Sequence, residues 1–128
     1  MKIETIWQLI AILIQIESGG NDLAVGDNGK ALGCLQIHEI YVSDINRLWG
    51  TDFKHTDAFD RSKATQMFLA YTAWYALKME DDTGRKATFE DLARIHNGGP
   101  NGWKKESTKA YWDKVKLYAG SPVNPTSN

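Results

Sequence analysis

The sequence predicts a mainly helical α+β domain, and three observations carry that prediction. Apolar residues recur at helical spacing through most of the chain, the strand-like fragments are confined to the flanks of one "GDNG" turn signal, and no linker or repeat divides the 128 residues. A chain of this length buries roughly two thirds of the surface its unfolded form exposes, enough for one core. The expected boundaries are a single domain over 1–120 and a loose tail over 121–128.

Five helices are expected, over about 3–17, 38–49, 61–80, 88–96 and 107–119. In the first, Glu4, Gln8 and Gln15 share one face of the helical wheel and Ile3, Trp7, Ile10 and Ile14 the opposite, core-facing one. The third, "ATQMFLAYTAWYALKM", is apolar nearly all round, the pattern of a buried central helix. The fourth has Thr88 as its N-cap and stops at "NGGPNG", where glycines end it and Pro100 forbids continuation. In the fifth, Tyr111, Trp112, Val115, Tyr118 and Ala119 fall on one face. Between the first two helices, the Asn28-Gly29 pair favours a tight hairpin turn within 22–33.

Bulk properties narrow the function classes. The net charge of −1 gives no electrostatic footprint for a nucleic-acid or anionic-membrane partner. The lysine-rich "KKESTKAYWDKVK" fits a solvated helix face better than a binding patch. A lone Cys34 excludes an intramolecular disulfide and any multi-cysteine metal site. The N-terminal "MKIETIWQLIAILIQI" is interrupted by Glu4, Gln8 and Gln15 and has no small-residue cleavage site after it, so a core helix is expected rather than an export signal or a membrane span. His38, His55 and His96 lack the close spacing of a metal site with Asp57 or Asp60, and no cofactor motif is complete, so neither metal nor cofactor is expected.

The chemistry concentrates at the end of the first helix. Glu17 falls on the apolar side of the wheel and at the negative end of the helix dipole. Burial and dipole both favour its protonated form, the state a general acid needs. Ten residues on, Asp27 lies in the polar turn "VGDNGK", where water and backbone N–H groups keep a carboxylate ionised. Two carboxylates in contrasting environments are the pattern of glycoside hydrolysis. Asp22 is the rival for the second position, and spacing alone does not separate the two.

The blocks "ESGG", "GCLQI" and "ARIHNGGPNG" followed by "YWDKV", in that order, resemble the lysozyme superfamily that holds goose-type lysozymes and soluble lytic transglycosylases. "LQIHEIY" and the "HNGGPNG" ending are most similar to invertebrate-type lysozymes. The resemblance spans nearly the whole chain. It implies a lysozyme-like fold with a β-hairpin beside a cleft, in which Glu17 is the catalytic acid and Asp27 the matching turn aspartate. It implies further that Ser18, Gln36, His96, Asn97 and Gly98 bind substrate; Tyr41, just after "LQIHE", is a further cleft candidate. The implied reaction is cleavage of the β-1,4 bond between N-acetylmuramic acid and N-acetylglucosamine in peptidoglycan, by a monomer acting in the cell wall, the periplasm or outside the cell. With no export signal expected in the chain, release by another route or excision from a longer protein follows. Two departures stand out: the invertebrate-type enzymes are rich in disulfides, and the transglycosylases usually have tyrosine where His96 stands. The second leaves open hydrolysis and a transglycosylase reaction giving 1,6-anhydro ends. A catalytically inactive glycan-binding module is the rival from another class.

The remaining aromatics divide between core and sugar platform. Trp7, Tyr71, Trp74, Tyr75 and Trp112 lie at helical spacing and fit a core, whereas Trp49 and Trp103, nearer loops, are balanced between the two.

Overall fold

The computed structural model describes residues 2–120; the tail expected over 121–128 lies outside the described residues. The chain runs through helix α1 (Ile6–Ser18), a hairpin of strands β1 (Val25–Gly26) and β2 (Ala31–Leu32), and helices α2 (Glu39–Trp49), α3 (Arg61–Thr83), α4 (Phe89–Gly98) and α5 (Lys109–Ala119). Short 3-10 turns at Asp27–Gly29, His55–Phe59, Gly102–Lys104 and Glu106–Thr108 complete it. The α+β, mainly helical class is as the sequence predicts.

α1 starts later than its apolar run suggests, because Thr5 and Gln8 form a capping box. The Thr5 hydroxyl accepts from the Gln8 amide at 3.2 Å, and the Gln8 side chain accepts from the Thr5 amide at 3.1 Å. The helix stops at Gly19, whose left-handed backbone returns its N–H to the carbonyls of Ile14 and Gln15. Leu9, Ile10, Leu13 and Ile14 are buried, and Glu17 continues that stripe one turn on. Trp7 departs from the expected wheel: it is 62% exposed, because the buried stripe is centred on Leu9 and Leu13.

The hairpin pairs Val25 with Leu32 and Gly26 with Ala31. Asn28 and Gly29, both at positive φ, sit at the centre of the turn, and the Lys30 amide closes it on the Asp27 carbonyl at 3.1 Å. A bridge from Leu32 to Ile37 extends the ladder toward α2. Gly33 is required at this corner: its φ is +82°, and a Cβ there would collide with the carbonyl oxygen of Ala58.

α3 packs against α2, α4 and the 55–59 turn, which makes it central. It is not buried all round, however. Ala64, Met67, Phe68, Tyr71, Thr72, Tyr75 and Met79 form one buried face, while Leu77 on the far side is exposed. α4 carries the expected Thr88 cap, reinforced by Asp91 as a capping box. On α5, Tyr111, Val115 and Ala119 are buried, whereas Tyr118 lies at the surface. In the lysine-rich stretch, Lys109 pairs with Glu106 and Lys116 with Asp113, all exposed, as a solvated helix face would.

Cys34 is fully buried and free, and its carbonyl accepts the Ser18 hydroxyl at 2.9 Å. That bond fastens the end of α1 to the segment leaving the hairpin. Arg61 fastens the intervening loop, with Nε on Asp22 at 2.7 Å and a terminal nitrogen on the Gly20 carbonyl at 2.6 Å.

Candidate active site

A cleft of about 720 Å³ opens between the hairpin, α2 and the start of the loop after α4, with Glu17 and Asp27 both in its wall. Glu17 comes from the last turn of α1 and Asp27 from the hairpin turn, so two adjacent elements of the chain supply the two carboxylates. Gln36, Tyr41, His96 and Asn97 line the same cleft, as expected of them.

The environments of the two carboxylates differ. The Glu17 side chain is only 19% exposed, the Asp27 side chain 58%. Oε2 of Glu17 accepts the Tyr111 hydroxyl at 2.7 Å and lies 3.4 Å from Nε2 of His96. The same His96 nitrogen is 3.1 Å from the Leu35 carbonyl, and Nδ1 is 2.9 Å from the Tyr41 hydroxyl. Two acceptors at Nε2 require a ring proton on that nitrogen. Both donors to Glu17 reach Oε2. Among the described residues Oε1 has no hydrogen-bond partner and is the oxygen left to meet a ligand.

The proton affinity of Glu17 corrects the expectation drawn from its helix position. Burial pushes the carboxyl up, as expected, but the His96 N–H and charge, the Tyr111 hydroxyl and the field of Lys114 outweigh it. The carboxyl of the empty site is therefore held below the ordinary glutamate range. Such a group contributes stability above the pKa of an unfolded glutamate, roughly 4.3, and loses that contribution as pH falls through the lower folded value. Tyr111→Phe removes a donor to the charged form. The alkaline limb of the kcat/KM profile should then move to higher pH, with a stability loss of roughly 1.5 to 3 kcal/mol at neutral pH that shrinks in acid. A pH–rate series beside thermal melts at pH 7 and pH 3 checks this; an unmoved alkaline limb would show that Tyr111 does not hold the proton balance.

Asp27 is paired differently. Its Oδ2 lies 3.3 Å from Nε2 of His38, the residue just before α2. Asp22, the rival second carboxylate, is engaged with Arg61 and does not line the cleft. Gln36, at φ +51°, tucks its amide under the hairpin, with Nε2 donating to the carbonyls of Gly33 at 3.0 Å and Ala24 at 3.3 Å. Its position in the wall and its grip on the hairpin are one arrangement.

Two expected site residues lie elsewhere. Ser18 does not line the cleft; its hydroxyl is spent on the carbonyls of Ile14 and Cys34 and accepts from the Gly20 amide. Gly98 faces Thr108, whose methyl group a Cβ would strike, and Gly99 and Pro100 take its place at the cleft. Trp49 and Trp103 are not in the cleft wall either. Trp49 packs edge-on against Trp74 and donates to the Ala70 carbonyl, and Trp103 lies under the Lys104 ammonium. Neither ring faces the cleft that holds Glu17.

The sequence does not single out Tyr111, Asp44, Arg47 and His38 as site residues, and it favours the core over a sugar platform for Tyr71 and Tyr75. Tyr71 and Tyr75 are buried, and they also line the cleft beside Asp44, Arg47 and His38. A signal existed in the i, i+4 spacing of Tyr71 and Tyr75 and the i, i+3 spacing of Asp44 and Arg47, which place polar tips together on facing helices.

Comparison with known proteins agrees with this geometry. No protein-family model matches the chain. A lysozyme of Magallana gigas is 41% identical over 105 residues, covering 80% of this chain and 72% of the relative. One from Ostrea edulis is 34% identical over 110 residues, covering 84% and 76%. The chain belongs to the lysozyme family. Family membership makes it a glycoside hydrolase of the muramidase kind. Solved lysozymes share the fold: that of Meretrix lusoria, in complex with Aeromonas hydrophila PliI, has a TM-score of 0.72 at 30% identity, covering 88% of this chain and 89% of that one. That of Tapes japonica has a TM-score of 0.73 at 25% identity with the same coverage.

Proposed function

We propose that this lysozyme hydrolyses the β-1,4 bond between N-acetylmuramic acid and N-acetylglucosamine in peptidoglycan, with Glu17 as proton donor and Asp27 as the carboxylate that attacks or stabilises the sugar cation. The observation that carries the reading is the pair of unlike carboxylates in one cleft, Glu17 having one oxygen held and the other without a partner among the described residues. A saccharide in the cleft strips water from the exposed side of Glu17. It thereby strengthens burial, the one influence that raises the proton affinity of that carboxyl. Asp27 lies exposed on the turn, beside His38, with its carboxyl open to the cleft. The proton then passes from Glu17 to the leaving glycosidic oxygen, and water restores the enzyme.

Peptidoglycan strands are the partner on this reading, met in the cell wall, the periplasm or outside the cell by a monomer, without nucleic acid or membrane insertion. Digestion of purified peptidoglycan by the unmodified protein tests it. Mass spectra should show muropeptides with free reducing ends that take up hydrogen on borohydride treatment. Fragments ending in 1,6-anhydro sugars, which resist reduction, would establish the transglycosylase outcome instead. An intact wall would leave only an inactive glycan-binding module.

A further inference from the structure

Among the described residues Arg47 is the one lysine or arginine that lines the cleft, and the chain builds a continuous support for it. Starting at the acid, His96 contacts Glu17 at 3.4 Å and the Tyr41 hydroxyl at 2.9 Å. The Tyr41 ring stacks on Tyr71 with centroids 3.7 Å apart and planes 11° from parallel. Tyr71 meets Tyr75 edge-on at 5.0 Å, the Tyr75 hydroxyl donates to Asp44 Oδ2, and Asp44 Oδ1 accepts from Arg47. Asp44 is mostly covered, its side chain 17% exposed, whereas that of Arg47 is 66% exposed. The wall therefore presents the cation and keeps its counter-charge behind.

A guanidinium has five N–H donors in a planar fork suited to carboxylate, and Asp44 takes only part of them. The glycan backbone of peptidoglycan is neutral apart from the lactyl group on each muramic acid. That group ends in a carboxylate, or in a peptide stem that carries further carboxylates.

We infer that Arg47 binds a substrate carboxylate at the far end of the cleft and so selects muramyl glycans over uncharged ones, an assignment that rests on the peptidoglycan reading above. Asp44 and Tyr75 are positioning residues: Tyr75 fixes Asp44, and Asp44 aims the guanidinium. Recognition of this kind adds binding energy away from the reacting bond, so it is expressed in KM rather than kcat.

The test compares three substrates with the unmodified protein and Arg47→Gln: intact peptidoglycan, the same material with its carboxyl groups amidated, and glycan stripped of peptides by an amidase, which leaves lactyl carboxylates. Arg47 is exposed, so the substitution leaves the core untouched. The expected result is a KM about five- to tenfold higher for Arg47→Gln on intact peptidoglycan with kcat nearly unchanged, and no difference between the two proteins on amidated material. Arg47→Lys should recover part of the loss, because it restores charge without the fork. A penalty that persists on stripped glycan identifies the lactyl carboxylate; one confined to intact material identifies the stem. Equal penalties on native and amidated substrates, or none on either, would overturn the assignment. Failure of the unmodified protein to cleave any of the three would instead overturn the peptidoglycan reading itself.

Discussion

Glu17→Gln should lower kcat/KM on purified cell walls by about 10²- to 10⁴-fold, the usual share of a general acid, while the protein stays folded. The amide is nearly the same shape as the carboxyl and still offers an oxygen to the Tyr111 hydroxyl and the His96 N–H. The Tyr111 bond at 2.7 Å and the His96 contact at 3.4 Å are what hold the end of this side chain in place. What the variant lacks is a proton it can release at the unpartnered oxygen. Circular dichroism and melting measurements establish the fold, and turbidity clearing measures the loss. Wall lysis at an undiminished rate in this variant would end the proposed mechanism.

Asp27→Asn should reduce kcat by about 10²-fold or more if Asp27 attacks or stabilises the sugar cation. The side chain is exposed at the tip of a hairpin whose turn is set by Asn28 and Gly29, so folding should be unaffected. Two readouts separate the alternatives. A large loss of turnover, with the unmodified protein giving reducing ends of retained configuration, supports two carboxylates. Near-normal turnover with 1,6-anhydro ends means that Glu17 works alone and the sugar's own hydroxyl closes the reaction. The substitution also alters the contact with His38, so His38→Gln is the control: it should leave most of the activity if the Asp27 carboxylate itself is what matters.

Much of this site was legible in the chain because local periodicity determined it. The stripe through Ile10, Leu13 and Ile14 points Glu17 inward whatever else the protein does, and Asn28-Gly29 favours the same turn wherever it occurs. Long-range contacts were not legible. Tyr111 is 94 positions from Glu17, and its hydroxyl helps reverse the direction in which burial alone would move the carboxyl. Trp7 was misplaced because a wheel gives relative angles and not the centre of the buried arc, and Leu9 and Leu13 moved that centre. Ser18 and Gly98 sit beside true cleft residues in sequence, but on a helix adjacent positions point about 100° apart. Tyr71 and Tyr75 were assigned to the core, and they are buried. What periodicity does not disclose is that a buried ring also forms the floor of an open groove.

That double role of Tyr41, Tyr71 and Tyr75 ties two traits together. The rings that line the groove belong to the same stack that joins α2 to α3, and any ligand bound there to the native state raises its stability by mass action. Substitutions that reshape the groove for a different sugar must therefore pass through the core, where packing tolerates few changes. Substitutions that alter what the groove accepts are accordingly least costly at its exposed positions, such as Arg47, His38 and Ile40, and most costly at the buried tyrosines.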